Sequence, residues 1–446
     1  MNWLIEKIKG RGEQTAVIFK EKEYTYGSLG RCIEEYIGLL SRRVTQGAVV
    51  ALVSDYSFES IAMFFALYEN RNVIVPITTK VPTEIEERIL VAKCEYRIYL
   101  RGKDVQVIEE TQKAERHELV SRLVGQRRSG LILFSSGSTG VPKAMIHDMD
   151  NLVDSYRNRK GKNLVFLIFL MFDHIGGLNT LLNCLAMGVA MVFPEDRNPE
   201  SVARLIEKYK VNVLPASPTF LNLLLISGAQ ERYDLSSLRM ITYGTEPMPD
   251  SLLVKLKATF GRVRFLQTFG TSETGITQTS SKSSTSTYIK FNDNETEYKI
   301  VNGELWLRSK TQIMGYLNSS MERFTEDGWF KTGDMVETTD DGYMKIVGRS
   351  TEIINVGGEK VLPSEVESVL YQMPGVMDCL VYPESNPITG QMVVAKMLFK
   401  EFVKPSEAKK SVNEFCKTRL AKYKIPVKVV LMTESEYSER FKKKRV

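Results

Sequence analysis

Residues 49–77 constrain the fold more than any other stretch. VVALVS (49–54) is an apolar run of strand length, SFESIAMFFALYEN (57–70) reads as a helix, and NVIVPI (72–77) is a second strand. A strand–helix–strand order of this kind implies a right-handed crossover within a parallel sheet. VPTEIEERILVAK and YRIYL repeat the pattern, and residues 24–46 carry Tyr26, Leu29, Cys32, Ile33, Tyr36, Ile37 and Leu40 at helical spacing. Further on come NLVFLIFL, a helix near 177–187, VAMVFP, a helix near 199–209, and VNVLPAS. The expected class is α/β, with a layered body over the first 280 residues or so. TSSKSSTST (279–287) reads as a polar, mobile loop, and short β segments with turn signals follow it (YKIVNGELWLRS, EDGWFKTGD, DDGYMKIVG). A chain of 446 residues exceeds one core. The expected division is a large N-terminal body over 1–348, a hinge at 349–352 and a small, mobile α+β C-terminal domain over 353–446. In that last domain, Ser364 and Glu367 have capping-box spacing after Pro363.

Composition removes several function classes. The net charge is only +6, and residues 353–446 hold 16 Lys and Arg against 11 Asp and Glu. No arginine stripe interleaved with aromatics accompanies that excess, so no nucleic-acid partner is expected. The five cysteines (Cys32, Cys94, Cys184, Cys379, Cys416) form no CxxC pair and are odd in number, which fits a reducing, cytoplasmic compartment. MNWLIEKIKGRGEQ reads as lacking a signal-peptide core, and the longest apolar run, LVFLIFLMF at 164–172, is too short to span a bilayer. Membrane insertion is therefore not expected. The three histidines, His117, His147 and His174, offer no HExxH or paired-ligand spacing.

The stretch with the most chemistry is LILFSSGSTGVPKA (131–144). A buried strand, Leu131–Phe134, runs into Ser135, Ser136, Gly137, Ser138, Thr139 and Gly140, then Val141, Pro142, Lys143 and a second apolar run. Glycines allow close backbone approach to a ligand. Together with backbone N–H groups, the hydroxyls and a lysine suit a polyphosphate. The spacing is not GxxxxGK[ST], and the run after Lys143 is too short for the helix that such a loop needs. The residues thus read as a phosphate-cradling loop between strands, with a solvated Gly/Ser hairpin as the alternative.

This string resembles the phosphate-loop signature of the acyl-adenylate-forming enzymes, a family of acyl-CoA synthetases, peptide-synthetase adenylation domains and luciferases. Further strings resemble the family's other motifs, in order, across nearly the whole chain. QTFGTSETG (267–275) is similar to a segment whose aromatic residue lies against adenine, here Phe269 with Gly270. The resemblance gives Ser272, in place of the usual threonine, a phosphate contact and Glu273 a hold on Mg²⁺. TYGTEPMP (242–249) resembles the other adenine wall, through Gly244, Thr245 and Glu246. WFKTGD (329–334) implies ribose binding by Asp334, with Arg349 as a second ribose contact, and GRSTEIINVGGEKVLPSEVE (348–367) resembles the hinge. SERFKKKRV (438–446) lies where the family has a mobile catalytic lysine.

The resemblance implies a two-step reaction. A carboxylate attacks the α-phosphate of ATP and releases pyrophosphate, and a pantetheine thiol then takes the acyl group. Two anions must be brought together, so fixed positive charge is needed rather than a general base. The implied suppliers are the 135–143 loop on the β- and γ-phosphates, Mg²⁺ on Glu273 and Lys442 at the α-phosphate. The small domain then rotates, and Gly357 and Gly358 make room for the pantetheine of CoA or of an acyl carrier protein. Three positions depart from the pattern: Ser272, Thr351 at the hinge in place of Asp or Lys, and Phe441 in place of the glycine before the lysine. The Lys442–Arg445 spacing is preserved, and Lys443 and Lys444 are expected to be solvated. MFDHIGGLNTLL (171–182) is expected to line the acid pocket. His174 followed by Ile175–Gly176–Gly177 resembles the acyl-CoA branch, where this histidine lies near the substrate carboxylate. Phe172–Asp173 mimics the amino-acid-activating branch, where the aspartate holds an ammonium group. The expectation is a small carboxylic acid with an uncharged chain. The alternatives are an amino-acid-activating enzyme and a non-catalytic nucleotide-binding protein.

Overall fold

A computed structural model of the chain describes residues 2–102, 104–109, 115–135, 142–438 and 441–443. The helix Phe58–Glu69 begins at a reciprocal cap, in which the Ser57 and Ser60 hydroxyls each accept from the other's backbone N–H. Ten of its twelve residues are buried. A helix without a solvent face must lie inside the molecule, between other layers. Its flanking strands, Val49–Val53 and Val73–Ile77, pair in parallel as the sequence pattern requires.

Among the described residues two seven-stranded sheets form the large body. One runs Arg264–Gln267, Met240–Tyr243, Val213–Ala216, Val165–Leu167, Ala190–Phe193, Thr15–Phe19 and Lys22–Thr25, parallel except for the last pair. The other centres on Val49–Val53 and its parallel neighbours Val73–Ile77 and Tyr96–Arg101. Its hairpin, Gly130–Ser135 against Lys143–Asp148, pairs Ser135 with Lys143. The 136–141 connection between these strands is outside the described residues, and with it the expected roles of Ser136, Gly137, Ser138, Thr139 and Gly140. A largely shared apolar core lies between the layers and includes Phe64, Phe65, Phe172, Leu178 and Leu181. A six-stranded antiparallel sheet follows, running from Thr279–Ser281 to Met344–Arg349.

The smaller C-terminal domain has its own core, drawn from residue 354 onward, with Val366, Leu370, Cys379, Val393 and Val412 at its centre. A 3₁₀ turn, Ser350–Glu352, follows the strand Met344–Arg349 and precedes the first residue of that core, Ile354. Thr351 is exposed in that turn.

Two local expectations are corrected. TSSKSSTST is an edge strand and turn fastened to the body, not a loose loop. The Ser281 and Ser284 hydroxyls accept from the Gln267 and Phe265 N–H groups, and the Thr287 hydroxyl donates to Asp250. The capping box at Pro363 does not form either. Ser364 instead donates across to the Val347 carbonyl, and Glu367 turns inward to accept from the Val381 N–H at 2.9 Å. In both cases a tertiary partner outcompetes the local one.

Candidate active site

The parallel strands Val213–Ala216, Met240–Tyr243 and Arg264–Gln267 lie in register, so their carboxyl ends open side by side. Ligands of open α/β sheets bind at such ends. Here the ends border a cavity of about 240 Å³. Gly244 and Thr245 leave the middle strand and Phe269, Gly270, Ser272 and Glu273 follow the outer one, all lining the cavity. Gly244 passes so close to the next strand end that a Cβ would stand 2.8 Å from the Thr268 carbonyl oxygen. Thr245 is held at φ +74°, in the left-handed region. Strain of this kind persists only where the surroundings impose it, and it clusters at functional sites.

The other walls come from distant parts of the chain: Ser135, His174, Arg349 and Lys442 line the same cavity. His174 stands at the N-terminus of the helix Ile175–Met187, where its Nδ1 accepts from the Gly176 N–H at 3.1 Å. Glu273 is held by the Tyr316 hydroxyl, which donates to Oε1 at 3.1 Å. Burial and that carboxylate push the Tyr316 phenol up, so it stays protonated and keeps donating. Lys143 lies over the same ring, its Nζ 5.8 Å from the Tyr316 ring centre. Asp334 and Arg349 face each other on antiparallel strands, with Arg349 Nε donating to Asp334 at 3.1 Å. Burial raises the Asp334 carboxyl, and the guanidinium opposes that rise.

Some expected residues lie outside this cavity. Glu246 lines no part of the cavity: Oε1 accepts from the Thr219 N–H at 2.7 Å, at the start of the helix Pro218–Ser227, and Oε2 from the Lys443 N–H at 3.3 Å. Gly357 and Gly358, at φ +61° and +95°, form the turn joining Ile354–Val356 to Glu359–Val361. A two-residue hairpin of that kind needs positive φ, so the turn accounts for both glycines by itself. Lys443, expected in solvent, is 12% exposed; it donates to the Cys379 carbonyl at 2.6 Å and pairs with Glu367 at 3.3 Å. Of the tail lysines described, Lys442 faces the cavity and Lys443 faces the small domain. Lys444 and Arg445 are outside the described residues.

A second cavity, of about 530 Å³, shares Ile175, Asn179, Thr180, Thr242 and Thr268 with the first. Leu131, Leu152, Phe166, Leu178, Leu182 and Met240 make much of its wall apolar. From MFDHIGGLNTLL, the helix portion lines it, whereas Phe172 is stacked on Tyr56 in the core. Asp173 is 6% exposed and is bound by Arg88 at 3.3 Å, away from both cavities.

Sequence reading missed Tyr316 and Arg323. Tyr316 comes within reach of Glu273 because Gly315–Tyr316 pairs with Met145–Ile146, a long-range contact with no local signal. Arg323 lines the first cavity, locked by donating to the carbonyls of Lys331 and Thr332. Among the described residues no cluster of three or more His, Cys, Asp or Glu could hold a metal by itself.

Comparison with known proteins shows the family to which this fold belongs. Residues 4–317 match the AMP-binding enzyme family and residues 365–442 match its C-terminal domain. The 2-succinylbenzoate–CoA ligase of Listeria monocytogenes is 24% identical over 97% of this chain and 95% of its own length. The 4-coumarate–CoA ligase of Pinus taeda is 31% identical over 65% of this chain, and the match spans only 59% of the pine protein. In three dimensions the o-succinylbenzoate CoA synthetase of Bacillus subtilis, solved with its acyl-adenylate intermediate, superposes with a TM-score of 0.76. That match covers 99% of this chain and 96% of the other at 22% identity. Two family matches that take in most of the chain, on a fold with the same large body and smaller C-terminal domain, show that the protein belongs to the AMP-binding enzymes of the adenylate-forming superfamily.

Proposed function

We propose that the protein is an AMP-forming acid–thiol ligase. It joins a carboxylic acid to the α-phosphate of ATP, releases pyrophosphate, and passes the acyl group to a pantetheine thiol. The observation that carries this reading is the junction of two cavities. A polar one gathers Lys442, His174, Glu273, Phe269 and Arg349, and it shares a wall with a partly apolar one of about 530 Å³, a size suited to a small organic acid. Phe269 offers a face for adenine. Arg349, which lines the cavity, and Asp334, bonded behind it, would take the ribose hydroxyls, and Lys442 offsets the charge gathering where carboxylate and α-phosphate meet. His174 lines the polar cavity beside Ile175, which both cavities share, and orients the carboxylate.

One carboxylate with few companions suits Mg²⁺, which keeps several waters and is usually held by one or two carboxylates plus substrate phosphates. Glu273, steadied by Tyr316, would hold it, and the ion would supply charge neutralisation on the phosphates. The hinge falls at 349–352, where the 3₁₀ turn separates the two cores.

Asp173 weighs against amino-acid activation. An aspartate that is to hold an ammonium group must face the acid cavity, and this one is bound to Arg88 instead. The apolar part of the second cavity favours an acid with an uncharged chain, and CoA is the favoured acceptor because the relatives are CoA ligases. ATP–pyrophosphate exchange with a panel of aliphatic, aromatic and amino acids tests the reading. Exchange driven by a carboxylic acid is expected, followed by thioester formation with CoA. ATP binding without exchange for any acid would favour a non-catalytic nucleotide-binding protein.

A further inference from the structure

The tail departs from the pattern it resembles at Phe441, and the structure gives that residue two uncommon properties together. Its φ is +50°, the left-handed conformation that a side chain disfavours and glycine accepts. The turn demands it: the Phe441 N–H donates to the Ser438 carbonyl and the Ser438 N–H donates to the Lys442 carbonyl, each at 2.8 Å. For the turn alone glycine is the better residue.

The ring, however, leaves the small domain. Its centre lies 5.0 Å from that of Phe169 and 5.6 Å from that of Phe220, both in the core beside the first sheet of the large body. The Ser217 hydroxyl, from the same body, donates to the Phe441 carbonyl at 2.7 Å. Behind it Tyr437 stacks on the ring at 5.2 Å. Two residues on, Lys443 ties the tail to Glu367 and Cys379 of the small domain. Lys442 sits between these two anchorages and faces the cavity.

We propose that Phe441 is a positioning residue: its ring docks the tail of the small domain into the large body and weights the small domain toward the arrangement in which Lys442 reaches the cavity. The proposal rests on the adenylation reading above. A glycine here relieves the backbone and removes the ring contacts while keeping the carbonyl that Ser217 holds, so docking weakens and the small domain leaves more readily. The first half-reaction then loses its lysine for part of the time, and the second, which needs the small domain elsewhere, does not suffer.

The test uses Phe441→Gly and Phe441→Tyr in the full chain, and glycine suits the backbone so well that misfolding is not expected. Acid-dependent pyrophosphate release and thioester formation from supplied acyl-adenylate are measured separately. An intramolecular distance probe, with one label in each domain, reports docking. Phe441→Gly is expected to slow pyrophosphate release about tenfold or more, to leave the thioester step at or above the wild-type rate, and to lower the docked fraction. Phe441→Tyr keeps the ring and should restore most of the first step. Wild-type pyrophosphate release by Phe441→Gly overturns the proposal, and so do equal losses in both steps at an unchanged distance. If no acid supports pyrophosphate release in the unaltered protein, the ligase reading fails. The distance probe then decides docking alone, and an unchanged docked fraction in Phe441→Gly refutes it.

Discussion

Lys443→Ala separates the two tail lysines by consequence. The ammonium group is 12% exposed and faces Glu367, 3% exposed, at 3.3 Å. It also donates to the Cys379 carbonyl and lies 4.9 Å from the Tyr371 ring centre. Truncation removes the charge facing a buried carboxylate that still accepts from the Val381 N–H at 2.9 Å. Breaking one side of a buried pair costs about 3–5 kcal/mol, and the surviving N–H places this case at the lower end, about 3 kcal/mol. Glu367→Gln removes the stranded charge, so in the double variant Lys443→Ala/Glu367→Gln the losses should fall short of additivity by about 1–2 kcal/mol. A two-domain chain does not unfold in one step, so the suitable measurement is native-state hydrogen exchange over residues 363–381. Lys442→Ala, by contrast, should leave that protection unchanged while slowing acid-dependent pyrophosphate release by about 10² or more. If Lys443→Ala shifts protection by less than about 0.5 kcal/mol, the pair contributes nothing and the tail is not part of the small domain's core.

Glu273→Gln and Asp334→Ala should each reduce adenylate formation by about 10² to 10³, the usual effect of removing one well-placed charged contact; a wild-type single-turnover rate in either withdraws its role. His147 is fully buried, and burial lowers its pKa from 6.5 to about 4, with the peptide groups of Ser272 and Thr311 opposing weakly. Between those values the unfolded chain takes up a proton that the folded chain refuses. Stability should therefore fall as pH drops through that window, by up to about 3 kcal/mol, and His147→Leu should flatten this part of a urea-unfolding pH profile. An unchanged slope in the variant would assign the effect to other groups. Asp173→Asn should cost about 1–3 kcal/mol by weakening a charged hydrogen bond, since Arg88 keeps Glu84 at 3.4 Å, without changing which acids drive exchange; a gain or loss of amino-acid activation would put Asp173 back in the acid site.

Much of the architecture is local and so was legible in one dimension. The strand–helix–strand succession over 49–77 needs only apolar periodicity and chirality to become a parallel crossover, and it did. The helix near 199–209 has Asn198 before it and proline at its first position, and its observed bounds are Pro199–Tyr209. The motif strings placed Phe269, Glu273, His174, Arg349 and Lys442 in one cavity although they span most of the chain. Wherever a polar side chain had a choice of partner, the sequence alone misled. Ser364 and Glu367 were spaced to bond each other, yet a carbonyl on a neighbouring strand and a buried lysine were available. Glu246 turned to the Thr219 and Lys443 N–H groups instead of the cavity.

Periodicity, turn chemistry and motif order, which are properties of neighbours in the chain, determined the fold class and singled out Phe269, Glu273, His174, Arg349 and Lys442, which line one cavity. Tertiary structure alone decided which of two adjacent lysines faces the cavity, that Asp173 is bound to Arg88, and that Phe441 accepts a strained backbone to reach the other domain. The physical reason is common to all three. A side chain of several ångströms can point either way from the same backbone position, and the direction is set by partners tens to hundreds of residues distant, which only the folded chain brings within hydrogen-bonding or packing range.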